Sequence, residues 1–237
     1  MKSKLALLLP IRCILFILIF LCIHLITNKE YNELTNCWSI VCSIVNILLI
    51  ILLIVLTRIN NSNLYELINH EKGKTKKKEV LIMCLIVISL GFGMMYLAGL
   101  IIYQKFPYLA PDMIAPLPLW LAIINFFILP ITTALAEDSL YLGCGVNNIN
   151  NKYLKIIIPS FFFALQHSFI PFLPDIKFIL YRFLSFLPLT IILCIIYNKK
   201  KNPVPIMIAH ALIDVFTVIW ILITSISPEY YNQLINM

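Results

Sequence analysis

The chain has 237 residues, 61% of them hydrophobic and only 12% charged, with a mean hydropathy of +0.95 and a formal net charge of +7. Soluble domains carry about 25% charged residues, so this composition excludes an ordinary soluble globular protein and points to the integral membrane class. The positive charge collects in loops between apolar runs, where it reads as a topology signal and gives no grounds for a nucleic-acid partner.

The first run, MKSKLALLLPIRCILFILIFLCIH, begins with two lysines like a signal peptide. Its apolar part is too long, and no small-residue cleavage pattern follows, so it reads as an uncleaved span over roughly 5–26. Further runs cover roughly 37–56, 80–103, 118–142, 156–173, 176–197 and 204–226. Most approach the ~20 helical residues that a hydrocarbon core of about 30 Å requires. The fifth is the least regular, with Pro159 early in it and Pro171 and Pro174 closing it. Continuous rather than alternating apolar runs predict helices. The expected fold is all-α: a polytopic transmembrane helical bundle of about seven spans in the cell membrane, in contact with membrane lipids.

Lysine and arginine give the orientation. With the N-terminus cytoplasmic, 14 of the 18 fall on the inner side, including the run EKGKTKKKE at 71–79, and only Lys29, Lys105, Lys177 and Arg182 fall outside. Seven cysteines are scattered, none in a C-x-x-C pair, so neither a disulfide framework nor a cysteine metal site is indicated.

Polar groups inside spans are costly and mark functional positions by default. In the first two spans these are Arg12, His24 and Asn46, which read as structural: Arg12 snorkelling to the cytoplasmic surface, His24 near the outer interface, Asn46 joining helices. Residues 1–110 thus form a three-span region without recognisable chemistry.

Residues 118–226 differ. Glu137 and Asp138 end the fourth run, His167 lies in the fifth, and His210 and Asp214 lie in the seventh. These types do acid, base or metal work. Helix rise places them between the cytoplasmic surface and the midplane. Phe163 and His167 are four apart and share a face, as do His210 and Asp214. Glu137 and Asp138 are adjacent, about 100° apart around the axis, so one centre cannot receive both squarely. Asp138 shares its face with Tyr141 and Leu142.

The motifs E-D-S-L-Y-L-G at 137–143, F-A-L-Q-H at 163–167 and H-A-L-I-D at 210–214 resemble the CPBP family of intramembrane proteases, also called the CAAX-processing or Abi family. That family shows E-E-x-x-x-R, F-x-x-x-H and H-x-x-x-N or H-x-x-x-D on separate helices. The resemblance covers roughly 118–226. It implies an intramembrane endopeptidase that hydrolyses a peptide bond near the cytoplasmic side with a Glu/His-activated water. Glu137 would be the general base and His167 would orient the water. His210 and Asp214 would stabilise the oxyanion, with Asp138, Tyr141 and Phe163 in support. The substrate would be a peptide or a membrane protein, prenylated or not. No cofactor is certain: Zn²⁺ on Glu137, His167 and His210 is compatible with the residues, and H-E-x-x-H is absent.

Two positions depart from the family pattern. Leu142 stands where the arginine would be, and Asp138 replaces the second glutamate. Asp138 is therefore expected as the remnant of an acid–arginine brace, served by Tyr141, Ser139 or the interface. The same departures motivate the alternative reading, a non-catalytic membrane binding protein in bacteriocin self-immunity or as a scaffold for a membrane sensor.

Overall fold

The structure, a computed structural model, describes residues 2–108 and 110–235. Seven helices make the body of the protein: α1 (Ile11–Thr27), α2 (Trp38–Ile59), α3 (Lys77–Tyr103), α4 (Leu119–Asp138), α5 (Leu154–His167), α6 (Ile176–Lys200) and α7 (Val204–Ile226). Helix α4 runs on without a break into a π-helical segment, Ser139–Val146, and a short helix α8 (Pro228–Ile235) follows α7. Among the described residues there is no named strand, so the all-helical expectation holds.

Among the described residues, six helical segments are long and apolar enough to cross a membrane, and the chain is a multi-pass integral membrane protein. Leu18, Leu48, Leu85, Ile101 and Phe127 lie exposed on their outer faces, as lipid contact requires. The fifth expected span corrects to an element too short to cross the hydrocarbon core. Helix α5 has 14 residues, about 21 Å at 1.5 Å per residue. It ends because Ser168–Asp175 carries Pro171 and Pro174, which offer no N–H to continue the ladder. Irregular backbone at membrane depth survives only inside protein, and Ser168, Ile170 and Leu173 are buried there.

A cleft bordered by Lys4, Asn60, Glu71, Asn147 and Lys201 shows that the N-terminal segment and the connections after α2, the π-helix and α6 meet at one end. This is the lysine-rich end, so the connections alternate sides as the charge asymmetry implies. The buried Tyr197 ties it together, its hydroxyl accepting from Asn69 at 3.0 Å and Asn147 at 2.6 Å and donating to the Ile68 carbonyl at 2.9 Å. Lys201 Nζ donates to Asn147 Oδ1 at 3.0 Å, and partial burial, with Lys155 nearby, holds its pKa below the usual lysine value. At the other end the connection after α3 is sewn to α7: Thr224 Oγ1 donates to the Ile114 carbonyl at 2.7 Å and Ser225 Oγ accepts from Leu117 N at 2.9 Å.

The core is split in two. One apolar cluster, at the lysine-rich end, includes Leu9, Leu53, Leu140, Tyr141, Cys194 and Ile206. The second includes Phe16, Trp38, Leu129, Ile170, Tyr181 and Ile221. Along α4, Glu137 falls between Leu129 of one cluster and Leu140 of the other. His167 falls between Phe163 and Ile170, and His210 between Ala209 and Val218. The ionisable side chains therefore occupy a polar layer sandwiched between two dry ones.

Candidate active site

Three helices supply the layer, and a fourth completes it. Glu137 and Asp138 leave the last turn of α4, where the chain widens into the π-helix. A wider turn is a recurrent device at functional sites, and here Gly143 and Gly145 accommodate it. The Gly143 carbonyl accepts from Asn148 Nδ2 at 2.7 Å, and a Cβ on Gly145 would stand 2.7 Å from Pro159 Cγ. The π-segment can therefore lie against α5, bringing Tyr141 onto Phe163 in a stacked pair with ring centroids 4.5 Å apart.

Glu137 is buried, and both its oxygens are engaged. Oε1 accepts from Arg12 Nη2 at 2.7 Å and Oε2 from Gln166 Nε2 at 2.7 Å. The Nε2 atoms of His167 and His210 each lie 3.8 Å from that same Oε2. Gln166 is held in turn: its Oε1 accepts from Tyr141 Oη at 3.0 Å and from Arg12 Nε. With its oxygen serving two donors, the amide must present N–H to Glu137. Asn46 Oδ1 takes Arg12 Nη1, and Asn46 Nδ2 donates to Thr133 Oγ1 at 2.9 Å.

The expectation that Arg12 snorkels to the surface is overturned. It is fully buried from the first helix onto Glu137, because the carboxylate and two side-chain carbonyls there satisfy a guanidinium better than the membrane interface can. Sequence reasoning also passed over Gln166, although it stands directly before His167. The signal available was the cost of a charge within a span, which demands a partner.

The two imidazoles are oriented differently. His167 Nδ1 is 2.8 Å from the Phe163 carbonyl, an acceptor, so Nδ1 carries a proton and Nε2 is the nitrogen turned toward Glu137. Phe186 stacks on the other face of that ring at 3.6 Å. His210 Nδ1 lies 3.3 Å from Asp138 Oδ1, leaving its Nε2 facing Glu137, with Asp214 Oδ2 at 3.9 Å. Phe163 lies near both rings, with centroids 6.1 Å and 5.9 Å away.

This geometry corrects the expectation for Asp138. Tyr141 turns to Gln166, and the Ser139 hydroxyl has no partner among the described residues. Asp138 holds His210 instead. The 100° between the two acids serves to reach opposite nitrogens of one ring. Asp214, four residues beyond His210, reaches the same layer from the cavity side, its Oδ2 without a hydrogen bond among the described residues.

A cavity of about 300 Å³ meets the layer. Glu137, His167, Asp214 and Arg182 line it, and it extends past Met95, Tyr96 and Trp220 to Trp38, Ala110 and Met113, away from the lysine-rich end. The sequence reading has the chemistry in the cytoplasmic half, whereas the cavity that reaches Glu137, His167 and Asp214 lies on the opposite side of the polar layer from the cleft at the lysine-rich end.

The donor set does not fit zinc. Zinc ligands sit about 2.0–2.2 Å from the metal, and no group of three His, Cys, Asp or Glu side chains among the described residues could hold one. The carboxylate that would bind the metal already carries a guanidinium at 2.7 Å and an amide at 2.7 Å.

Residues 117–216 match the family model described as type II CAAX prenyl endopeptidase Rce1-like. The match contains the acids, both histidines and Gln166, and leaves out the helix that bears Arg12. No curated protein matches the chain. No solved structure matches it either.

Proposed function

We propose, from the match of residues 117–216 to the Rce1-like family model, that the polar layer hydrolyses a peptide bond with a water activated by Glu137 and His167. The observation that carries this is the convergence of His167 Nε2 and His210 Nε2 on one oxygen of Glu137, each at 3.8 Å. That separation is too long for direct hydrogen bonds, and a water seated to one side of Oε2 and the histidine nitrogens would bridge them. Glu137 Oε2 would take one proton of the water as its oxygen attacks the scissile carbonyl, while the other proton stays on that oxygen and is donated as a hydrogen bond to His167 Nε2. Gln166 and Arg12 fix the carboxylate so that a single oxygen faces the water. With both ring nitrogens carrying protons, His210 would donate Nε2–H to the oxyanion, and Asp138, 3.3 Å from Nδ1, would hold its ring angle. Glu137 would then pass its proton to the leaving amine. No step needs a metal.

Substrates would be peptides or membrane proteins whose cut segment can be drawn into the membrane interior; attached prenyl groups are compatible with the apolar lining. A direct test is product analysis by mass spectrometry of peptides incubated with purified protein in lipid, comparing wild type, Glu137→Gln and His167→Ala, each with and without chelator. Cleavage by wild type alone, unaffected by chelator, is expected. Equal cleavage by Glu137→Gln would remove the assignment.

A second reading has one observation in its favour: both oxygens of Glu137 are already engaged inside the protein. On that reading the chain is a non-catalytic membrane binder, serving in bacteriocin self-immunity or as a scaffold for a membrane sensor. Its cellular phenotype would then persist in Glu137→Gln.

A further inference from the structure

At the lysine-rich end the protein carries a cleft of about 690 Å³, larger than the cavity beside the polar layer. Its polar wall begins just past the last apolar turns: Asn60 follows α2, Asn147 and Asn148 follow the π-segment, and Lys201 follows α6. Leu8 and Leu56 line it from within the first two spans. The cleft therefore straddles the level at which hydrocarbon gives way to headgroups.

Lys201 is its most constrained member. It caps α6 in the left-handed conformation, with φ 50°, where glycine is the unstrained residue. Its Nζ donates to Asn147 Oδ1 at 3.0 Å and stands 5.4 Å from the centre of the Tyr197 ring. Tyr197 also holds Asn147 at 2.6 Å and Asn69 at 3.0 Å, so the acceptor that aims the ammonium is itself fixed. An ammonium has three donors, and Asn147 takes one. Partial burial and Lys155 both oppose the charge of Lys201, and no carboxylate among the described residues pairs with it.

Lys4, on the rim, has neither a hydrogen bond nor an ion pair among the described residues. The two acids on the rim are already served. Glu66 accepts from Ser62 Oγ at 2.6 Å and from Asn63 Nδ2 at 2.8 Å, and Glu71 pairs with Lys74 at 2.8 Å. The charge left without a partner in the cleft is positive, and an apolar wall adjoins it.

We propose that this cleft binds an anionic phospholipid, with Lys201 and Lys4 on its phosphate and Leu8 and Leu56 along the first methylenes of an acyl chain. A free phosphate would use the lysines and leave the leucines wet, whereas a phospholipid uses both. With Glu66 and Glu71 engaged, the ammonium of a zwitterionic headgroup finds no free carboxylate. The site shares no residue with the polar layer, so it stands whether or not that layer cleaves peptides. Its floor closes the π-segment: Asn148 Nδ2 donates to the Gly143 carbonyl at 2.7 Å and Asn147 N to the Leu142 carbonyl at 3.2 Å. A bound lipid braces that end.

The test titrates full-length protein, purified in a non-ionic detergent, with short-chain phosphatidylglycerol, phosphatidylcholine of the same chains, and glycerol 3-phosphate. Calorimetry gives the affinities, and thermal unfolding is followed in parallel. Wild type should bind phosphatidylglycerol about fivefold or more tighter than the other two, the scale of one basic side chain meeting an anionic headgroup. It should also unfold at a higher temperature with that lipid bound. Lys201→Gln and Lys4→Gln should each weaken phosphatidylglycerol by about fivefold, and Lys201→Arg should retain most of the affinity. Lys78→Gln, outside the cleft, should change it by less than about twofold. Equal weakening by Lys78→Gln would mark a diffuse basic surface and overturn the site. Equal affinity for phosphatidylcholine overturns the anionic headgroup, and equal affinity for glycerol 3-phosphate assigns the cleft to a soluble phosphate and overturns the lipid. Lys4→Gln removes no hydrogen bond among the described residues, so it decides the matter even if Lys201→Gln fails to fold.

Discussion

Arg12 Nη2 donates to Glu137 Oε1 at 2.7 Å, joining the first helix to the candidate base across 125 residues of chain. The family pattern places an arginine within the first motif, at the position Leu142 occupies. Here the cation arrives from a different helix, outside the matched segment, and it pairs with the first acid. The N-terminal region thereby enters the polar layer as one of its walls.

Removing that cation leaves a buried carboxylate without its partner. Arg12→Met should destabilise the protein by about 3–5 kcal/mol, the usual cost of breaking a buried pair from one side. Arg12→Lys should cost less, because it keeps the charge but loses the fork to Gln166 and Asn46. Thermal unfolding in detergent gives the values. Adding Glu137→Gln should recover part of the loss in Arg12→Met, since the uncompensated charge then disappears. Full additivity of the two changes would show that the pair carries no coupling.

Asp138 is expected to act through His210. In Asp138→Asn the side-chain oxygen can still accept from Nδ1–H, so kcat should fall by less than about tenfold. Asp138→Leu should lower it by about 10²-fold, the scale typical of losing an orienting partner to a histidine. KM should stay nearly constant in both. An Asp138→Leu protein with full activity would detach this carboxylate from the chemistry.

Gly145 tests the packing behind the site. An added Cβ would meet Pro159 Cγ at 2.7 Å and Pro159 Cβ at 2.8 Å, with Leu9 Cδ2 at 3.2 Å. Proline cannot rotate away, so Gly145→Ala should push α5 from the π-segment and destabilise by about 1–3 kcal/mol. Activity should fall with it, because His167 and Gln166 ride on α5. A lower melting temperature with unchanged kcat would mean that the displacement is absorbed elsewhere.

Tyr197 serves as the contrasting case. Tyr197→Phe strands the Asn69 amide and the Ile68 carbonyl at the lysine-rich end, while Asn147 Nδ2 keeps the Leu67 carbonyl at 2.8 Å, and should cost about 1–3 kcal/mol. The hydroxyl lies outside the polar layer, so kcat at permissive temperature should remain near wild type. Thermal unfolding and steady-state rates together check both halves of this expectation.

Much of the molecule was legible from hydropathy. A bilayer fixes helix length, so six of the expected spans appear close to their read positions. The fifth differs because hydropathy averages over Pro171 and Pro174, whose missing donors end α5 after 14 residues, short of a full span. Motif spacing brought Glu137, His167, His210 and Asp214 to attention, since i, i+4 periodicity depends only on the local helix. That the four lie around one layer required the structure.

The sequence by itself determined the class, the helical architecture and the chemical types available, because these follow from composition and from periodicities within single helices. Tertiary structure decided the partners. Whether Arg12 meets lipid interface or Glu137 and whether Asp138 meets Tyr141 or His210 are questions about rotation and depth between helices far apart in the chain. Those are set by how small and large side chains pack, Gly145 against Pro159 and Tyr141 against Phe163, and no local pattern encodes that match.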